Sequence, residues 1–353
     1  MRIVLATERA VPGGAQRTLG LVAPALRDLG WNVQALVGEP GPLADHLLAE
    51  AIGVTVSADA GALEDLGADV VLSMGASGHA WAGHAAKHLE IPAAWWLELT
   101  LRDRPAEQHA VATPAILAAT PTRAAAAALR ARAPHLPVEV IAPGADWGDL
   151  ARHRRAAVGA RGSIAVPAHG LPLVAMIARL DPIKGQDIAI DAIASLRASG
   201  RDVHLALVGG AVVGHEGDIA QRLFDRSQER GVADLVHHLG FVDDPGPWLA
   251  ASTIAVQASA HEAFGLSVVE ALAHGVPVIA SATDGPTEIL DAGRYGVLTP
   301  PGDPEALARA IADLLDDDAW RADFAERGPA RAAEFTPRVA AAKWHTVLRS
   351  ALD

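Results

Sequence analysis

None of the 353 residues is a cysteine, so no disulfide framework or thiolate metal site can form, and a reducing compartment suits the chain. Long apolar runs are missing too. Half the residues are hydrophobic, yet Pro, Gly or polar residues interrupt every stretch before the roughly 18 residues a membrane-crossing helix needs. A secretory leader is not expected, because Met1-Arg-Ile-Val-Leu-Ala-Thr7 reads as a short strand ended by Glu8-Arg9. The expectation is a soluble, cytoplasmic protein with no transmembrane segment. Basic surplus is also lacking: a net charge of -13 argues against nucleic acid, whose phosphate backbone calls for a basic surface. The deficit is uneven. Residues 1–165 hold 14 Lys and Arg against 16 Asp and Glu, and the rest hold 15 against 26. Arg123, Arg130, Arg132, Arg152, Arg154 and Arg155 either meet an anionic acceptor or a membrane surface, or form solvated helix faces and a linker.

What is present repeats one pattern, a short apolar run, a Gly/Pro turn and an Ala/Leu-rich amphipathic helix. Strands are expected at 3–6, 33–37, 54–57, 70–73, 93–97, 116–118 and 138–141, then at 173–178, 203–208, 235–239, 254–257, 278–280 and 296–298. Strands alternating with helices imply parallel sheets covered on both faces. Two such sets, in a chain too long for one comfortable core, imply two doubly wound α/β domains. The boundaries expected are 1–165, 166–336 and a last helix at 337–353, with Gly159 to Gly170 as a turn-rich linker. The tail reads as three helices, 303–317, 319–334 and 337–352.

In such sheets ligands bind beyond the carboxyl ends of strands, and four loops there are unusual. Gly13-Gly14 follows the first strand and would let backbone approach a phosphate closely. Arg179 and Lys184 flank a turn before a helix, where two cations either suit a diphosphate or merely sit on a surface loop. Gly209-Gly210 offers backbone against which a nucleoside could lie. Last comes His261-Glu-Ala-Phe-Gly-Leu-Ser-Val-Val-Glu270, in which Phe264-Gly265 opens a helix whose amide end favours an anion. Glu270 interrupts the apolar face of that helix. It either meets a ligand at the edge of the core or pairs with a buried Arg.

Arg179…Lys184, then Glu262 with Glu270 eight residues on, then Ala282-Thr-Asp-Gly-Pro-Thr-Glu288, resembles in order and spacing the retaining glycosyltransferases of the glycosyltransferase-4 family. The resemblance covers most of 166–353 and, through Gly13-Gly14, the start of the chain. It implies a GT-B fold: two facing Rossmann-like domains, an acceptor-side one at 1–165 and a nucleotide-sugar one at 166–336, with the last helix crossing back to the first. It also implies a hexosyltransferase-type enzyme whose donor is a UDP- or GDP-sugar and whose acceptor is a sugar, lipid or small molecule. By motif, Arg179 and Lys184 would bind the donor diphosphate and Glu262 the donor-sugar hydroxyls. The Phe264-Gly265-Leu266 backbone would hold sugar and phosphate, Glu270 the ribose, and Gly13 and Gly14 the distal phosphate and acceptor.

No cofactor is expected, nor an Asp-x-Asp anchor for a metal, because guanidinium, ammonium and helix amides can stabilise a departing diphosphate alone. Where the family usually carries a His, this chain reads Ile91-Pro-Ala-Ala-Trp-Trp-Leu-Glu98. Glu98 then either occupies that slot or, in a slipped register, pairs with Arg102; His79, His84 and His109 are the other candidates. Further readings on the same scaffold are a pseudo-glycosyltransferase, a sugar-nucleotide epimerase, and a catalytically inactive nucleotide-binding subunit. A dinucleotide-dependent dehydrogenase is disfavoured, since neither Gly pair completes Gly-x-Gly-x-x-Gly.

Overall fold

Seven strands build the first sheet: β1 (Arg2–Thr7), β2 (Asn32–Val37), β3 (Gly53–Val56), β4 (Val70–Met74), β5 (Ala93–Trp96), β6 (Leu117–Thr120) and β7 (Val138–Val140). A computed structural model describes residues 1–10, 14–98, 105–163, 170–211 and 216–353, with backbone alone at 216–218. The order is β3-β2-β1-β4-β5-β6-β7 and every pairing is parallel. Helices on both faces explain why β1, β4, β5 and β6 are apolar along nearly their whole length instead of alternating. On one face Leu19, Val22 and Leu26 of the helix Gly14–Asp28 share a core with Ala340, Trp344 and Leu348 of the last helix, Pro337–Leu352. That helix therefore crosses back to the first sheet, and the fully buried Trp344 ring meets Trp96 edge-on at 5.3 Å.

The second sheet holds β8 (Leu173–Ile177), β9 (His204–Val208), β10 (Val236–Gly240), β11 (Ile254–Gln257), β12 (Val278–Ser281) and β13 (Val297–Thr299) in the order β10-β9-β8-β11-β12-β13, again all parallel. In each sheet the strand order reverses once, between β1 and β4 and between β8 and β11. Loops that leave these neighbours diverge to opposite faces and open a crevice, the usual ligand position in doubly wound sheets.

The chain divides into Met1–Asp146 with Phe335–Asp353, and Trp147–Glu334. The boundary expected at 165/166 is thus corrected to 146/147. Residues 159–163, expected in the linker, end the helix Leu150–Ser163, which packs on the second unit; 164–169 lie outside the described residues. The reason is steric and polar: buried His153 fits against Gly246, where any side chain would overlap its ring, and bonds to Asp244 and His274. Among the described residues no helix is long and apolar enough to cross a membrane.

Candidate functional site

At the switch point of the second sheet, the loop after β8 is fixed by backbone and short side chains. Leu180 N–H donates to the Gly210 carbonyl at 2.8 Å, and Ala260 N–H to the Ile183 carbonyl at 2.8 Å. Asp181 caps the turn Pro182–Lys184 by accepting from Ile183 N–H at 3.1 Å, and its other oxygen takes Arg179 at 2.8 Å. Burial works against the charge on Asp181, but the Ile183 amide and the Arg179 guanidinium outweigh it and hold the carboxyl below its ordinary range. Gly185 turns the chain into the helix Gln186–Ala198 at φ 76°, and a side chain there would overlap the Ala258 carbonyl. Buried Gln186 donates to the Arg179 carbonyl at 2.8 Å. The loop is rigid at its root and presents a half-exposed Arg179.

Lys184 reaches across the switch point to the segment after β11. Its Nζ lies 2.6 Å from Glu262 Oε2, which also accepts from Gln257 Nε2 at 3.1 Å and Ser259 Oγ at 3.4 Å. Phe264 is buried, Gly265 takes φ 111°, and the helix Leu266–Ala273 begins directly, its Leu266 and Ser267 amides lacking intrahelical acceptors. Glu270 stands one turn further on and is only 4% exposed. Sequence reasoning brought Arg179, Lys184, Glu262, Gly265, Leu266 and Glu270 to one end of one sheet, and the structure agrees in placing them there. It missed Gln257 and Ser259, because a polar residue ending a strand carries no motif, and Asp181, which reads as ordinary turn chemistry.

Gly285 supports this turn from behind. Its N–H donates to the Glu262 carbonyl at 3.1 Å, and a methyl group there would overlap the backbone of Phe264. Gly285→Ala is therefore expected to cost about 1–3 kcal/mol through overpacking, lowering the melting temperature by several degrees in calorimetry. An unchanged melting temperature would mean that the Phe264 turn yields freely.

Gly209, at φ 148°, donates to the Gly240 carbonyl at 2.8 Å, and a side chain there would overlap the Ala178 carbonyl. Beside Gly210 stands Phe241, 75% exposed at the end of β10.

In the first unit Gly14 opens the helix after β1, and Gly13 lies outside the described residues. Glu98 follows β5 and is 9% exposed; its Oε1 has no hydrogen-bond partner among the described residues. Burial pushes its carboxyl up to about 8, and the Thr18 hydroxyl, the neighbour that favours the ionised form, has no hydrogen-bond partner of its own in good geometry. With its carboxyl pushed up that far, Glu98 favours the protonated form, which can donate a hydrogen bond, at neutral pH. Arg102, its alternative partner, lies outside the described residues. His79 is a core residue stacked on Trp95 at 5.0 Å. Its Nε2 lies 3.3 Å from the Thr113 carbonyl and its Nδ1 2.7 Å from Ser73 Oγ, which also donates to the Ala94 carbonyl at 3.0 Å, and burial pushes its pKa down to about 4. His84 and His109 form an exposed group with His88.

The chain does contain one Asp-x-Asp triplet, Asp316-Asp317-Asp318, which the expectation of no metal anchor passes over. Its carboxylates are committed locally: Asp316 pairs with Arg201 at 2.8 Å, Asp317 caps Trp320 N–H at 2.8 Å and Asp318 pairs with Arg321.

Residues 165–331 match the family model described as glycosyl transferases group 1. The lipopolysaccharide core biosynthesis glycosyltransferase LpsE of Rhizobium meliloti is 33% identical over 157 residues, 44% of this chain and 43% of that protein. A phosphatidyl-myo-inositol mannosyltransferase of Mycobacterium leprae is 36% identical over 151 residues, 42% of this chain and 38% of that protein. The matched region spans less than half the length of these relatives. In overall fold the chain is similar to Anabaena Alr3699/HepE, solved in complex with UDP, with a TM-score of 0.87, 24% identity and coverage of 99% of this chain and 100% of that one. WaaG, a glycosyltransferase involved in lipopolysaccharide biosynthesis, gives 0.74 at 17% identity, covering 98% and 99%. These likenesses show the two-domain GT-B fold.

Proposed function

From a chain whose residues 165–331 match the model of the group 1 glycosyl transferases, we propose a retaining, metal-independent glycosyltransferase that moves a sugar from a UDP- or GDP-sugar to a sugar, lipid or small-molecule acceptor. The observation that carries this reading is the meeting of Lys184 and Glu262, 2.6 Å apart, at the β8/β11 switch point and beside the amide end of Leu266–Ala273. A diphosphate there has Arg179 and Lys184 as fixed cations and the Gly265-Leu266 backbone as a neutral cradle. These groups stabilise the negative charge that grows on the departing diphosphate. As the bond from the sugar's anomeric carbon to the phosphate oxygen breaks, the acceptor oxygen bonds to that carbon from the same face, and its proton passes to the departing oxygen. No protein nucleophile is then required. The UDP held by the similarly folded HepE supports a uridine or related nucleotide as donor.

The test is a thermal-shift panel of UDP, GDP, ADP and TDP with their sugars, repeated on Arg179→Ala and Lys184→Ala. A ligand at about 100 times its Kd adds roughly 2.7 kcal/mol of stability, a clear shift. Each substitution is expected to weaken nucleoside diphosphate binding about tenfold or more and nucleoside binding little, because charge-assisted contacts contribute about 1.5–3 kcal/mol. Silence across the whole panel, or equal losses for nucleoside and diphosphate, would count against the proposal.

A further inference from the structure

Beneath the proposed nucleotide site the ladder between β8 and β11 ends early. Its last register pair joins Ala175 to Ala255, whereas β11 and β12 stay paired as far as Gln257 with Ala280. The two strands of the switch point therefore part before β11 is over. Where they part lies a cavity of about 10 Å³, with Ala175, Ile177, Val256, Gln257, Ser267 and Val268 in its wall. That is room for about one water molecule.

Two polar side chains line this cavity. Gln257 is only 6% exposed, and its Nε2 donates to Glu262 Oε2 at 3.1 Å. That bond fixes which way round the amide stands, because an amide oxygen turned towards the carboxylate would set lone pairs against lone pairs. The oxygen is left over. Buried Oε1 has no hydrogen-bond partner among the described residues, and folded interiors rarely leave such an acceptor without a donor from protein or ordered water. The second side chain is Ser267, in the first turn of the helix Leu266–Ala273, whose hydroxyl both donates and accepts. Cavities walled by apolar groups alone stay dry. An amide oxygen and a hydroxyl in one wall give a water the partners it needs to stay.

We propose that one ordered water fills the gap between β8 and β11, donating to Gln257 Oε1 and bonded to the Ser267 hydroxyl, and that Gln257 is through it a positioning residue for Glu262. The proposal rests on the reading of Glu262 as the group that meets the donor sugar. Held at its oxygen end, the amide keeps its nitrogen on Glu262 Oε2, which Lys184 Nζ reaches at 2.6 Å and Ser259 Oγ at 3.4 Å. Without the water the amide is free to turn about its last bond, and Oε2 loses one of its three donors. The side chains of Gln257 and Ser267 thus act on transfer only through where Glu262 stands.

The test has two arms. A high-resolution crystal structure of the wild-type protein should show a water within about 3.2 Å of both Gln257 Oε1 and Ser267 Oγ. A cavity without solvent density overturns the proposal. In the second arm Ser267→Ala and Gln257→Met, each close in shape to the residue it replaces, are assayed for transfer or hydrolysis of UDP- and GDP-sugars. Each is expected to lower kcat about three- to tenfold, the effect of one lost hydrogen bond, with KM, the Kd of the nucleoside diphosphate and the melting temperature little changed. Neither should add to the loss in Glu262→Gln, since all three changes act on one unit. A lower melting temperature with native kcat would show a merely structural role, and that result, or native kcat and native stability in both variants, overturns the positioning of Glu262. Wild-type protein that turns over none of these sugars overturns the reading of Glu262 and the positioning role with it, while the water is decided by the crystal structure alone.

Discussion

Glu98→Gln is expected to stabilise the protein above neutral pH and to leave it unchanged near pH 4.5. The folded carboxyl titrates at about 8 because burial disfavours its charge, against an ordinary value of 4.5. Between those values the unfolded chain has released a proton that the folded chain keeps, so rising pH favours unfolding throughout that window and the cost levels off above it. Below 4.5 both states are protonated and Glu98 has no effect on the balance. A tenfold difference in proton affinity between the two states corresponds to about 1.4 kcal/mol, so the gain from Gln at about pH 8 is on the order of a few kcal/mol, several degrees in melting temperature. Unfolding followed across pH 4.5 to 9 in both proteins checks this. Parallel curves would show that Glu98 is solvated and ionised.

The same substitution probes chemistry. A protonated Glu98 donates a hydrogen bond, as a histidine N–H does, and Gln keeps a donor in nearly the same place. If Glu98 selects among sugar hydroxyls in the first unit, Glu98→Gln should retain transfer that Glu98→Ala loses. Thr18, whose buried hydroxyl lacks a partner among the described residues, is the other group there with a hydrogen bond to give.

Each expected strand is present within a residue or two, because these strands are apolar on both faces and their ends are cut by Gly, Pro or charged residues. The boundary was not legible. Leu150–Ser163 is polar and contains Gly159 and Gly162, so it reads locally as a linker, and contacts distant in the chain, the fit of His153 against Gly246 and the bond from Arg161 to the Ala251 carbonyl among them, commit it to the second unit. At the site, Arg179, Lys184 and Glu262 were legible as motif residues beyond strand ends, yet that Lys184 and Glu262 touch follows from β8 and β11 being neighbours, a crossover the order of the chain does not reveal. The charge state of Glu98 was hidden for a similar reason: its sequence neighbours Trp96 and Leu97 suggest burial, but desolvation depends on which helices close over it.

Glu262→Gln should lower turnover with the nucleotide sugar by about tenfold to a hundredfold, whereas Glu270→Gln should raise the Kd for nucleoside diphosphate by about tenfold, with a smaller effect on turnover at saturation. The difference follows from position. Glu262 Oε2 gathers Lys184, Gln257 and Ser259, so its charge fixes the ammonium beside the departing phosphate; an amide there can accept a hydrogen bond but cannot hold a cation as firmly. Interactions that strengthen only as charge develops are read in kcat, and that is where its loss should appear. Glu270 lies within the helix, and its carboxylate is proposed to take ribose hydroxyls that do not change during transfer, so its loss should appear in binding. Lys184→Ala combined with Glu262→Gln should then be little worse than either alone, because the two side chains act as one unit. Full additivity of the two losses, or native kcat in Glu262→Gln with the fold intact, would remove Glu262 from the transfer step and leave the pair a local clasp between the loops after β8 and β11.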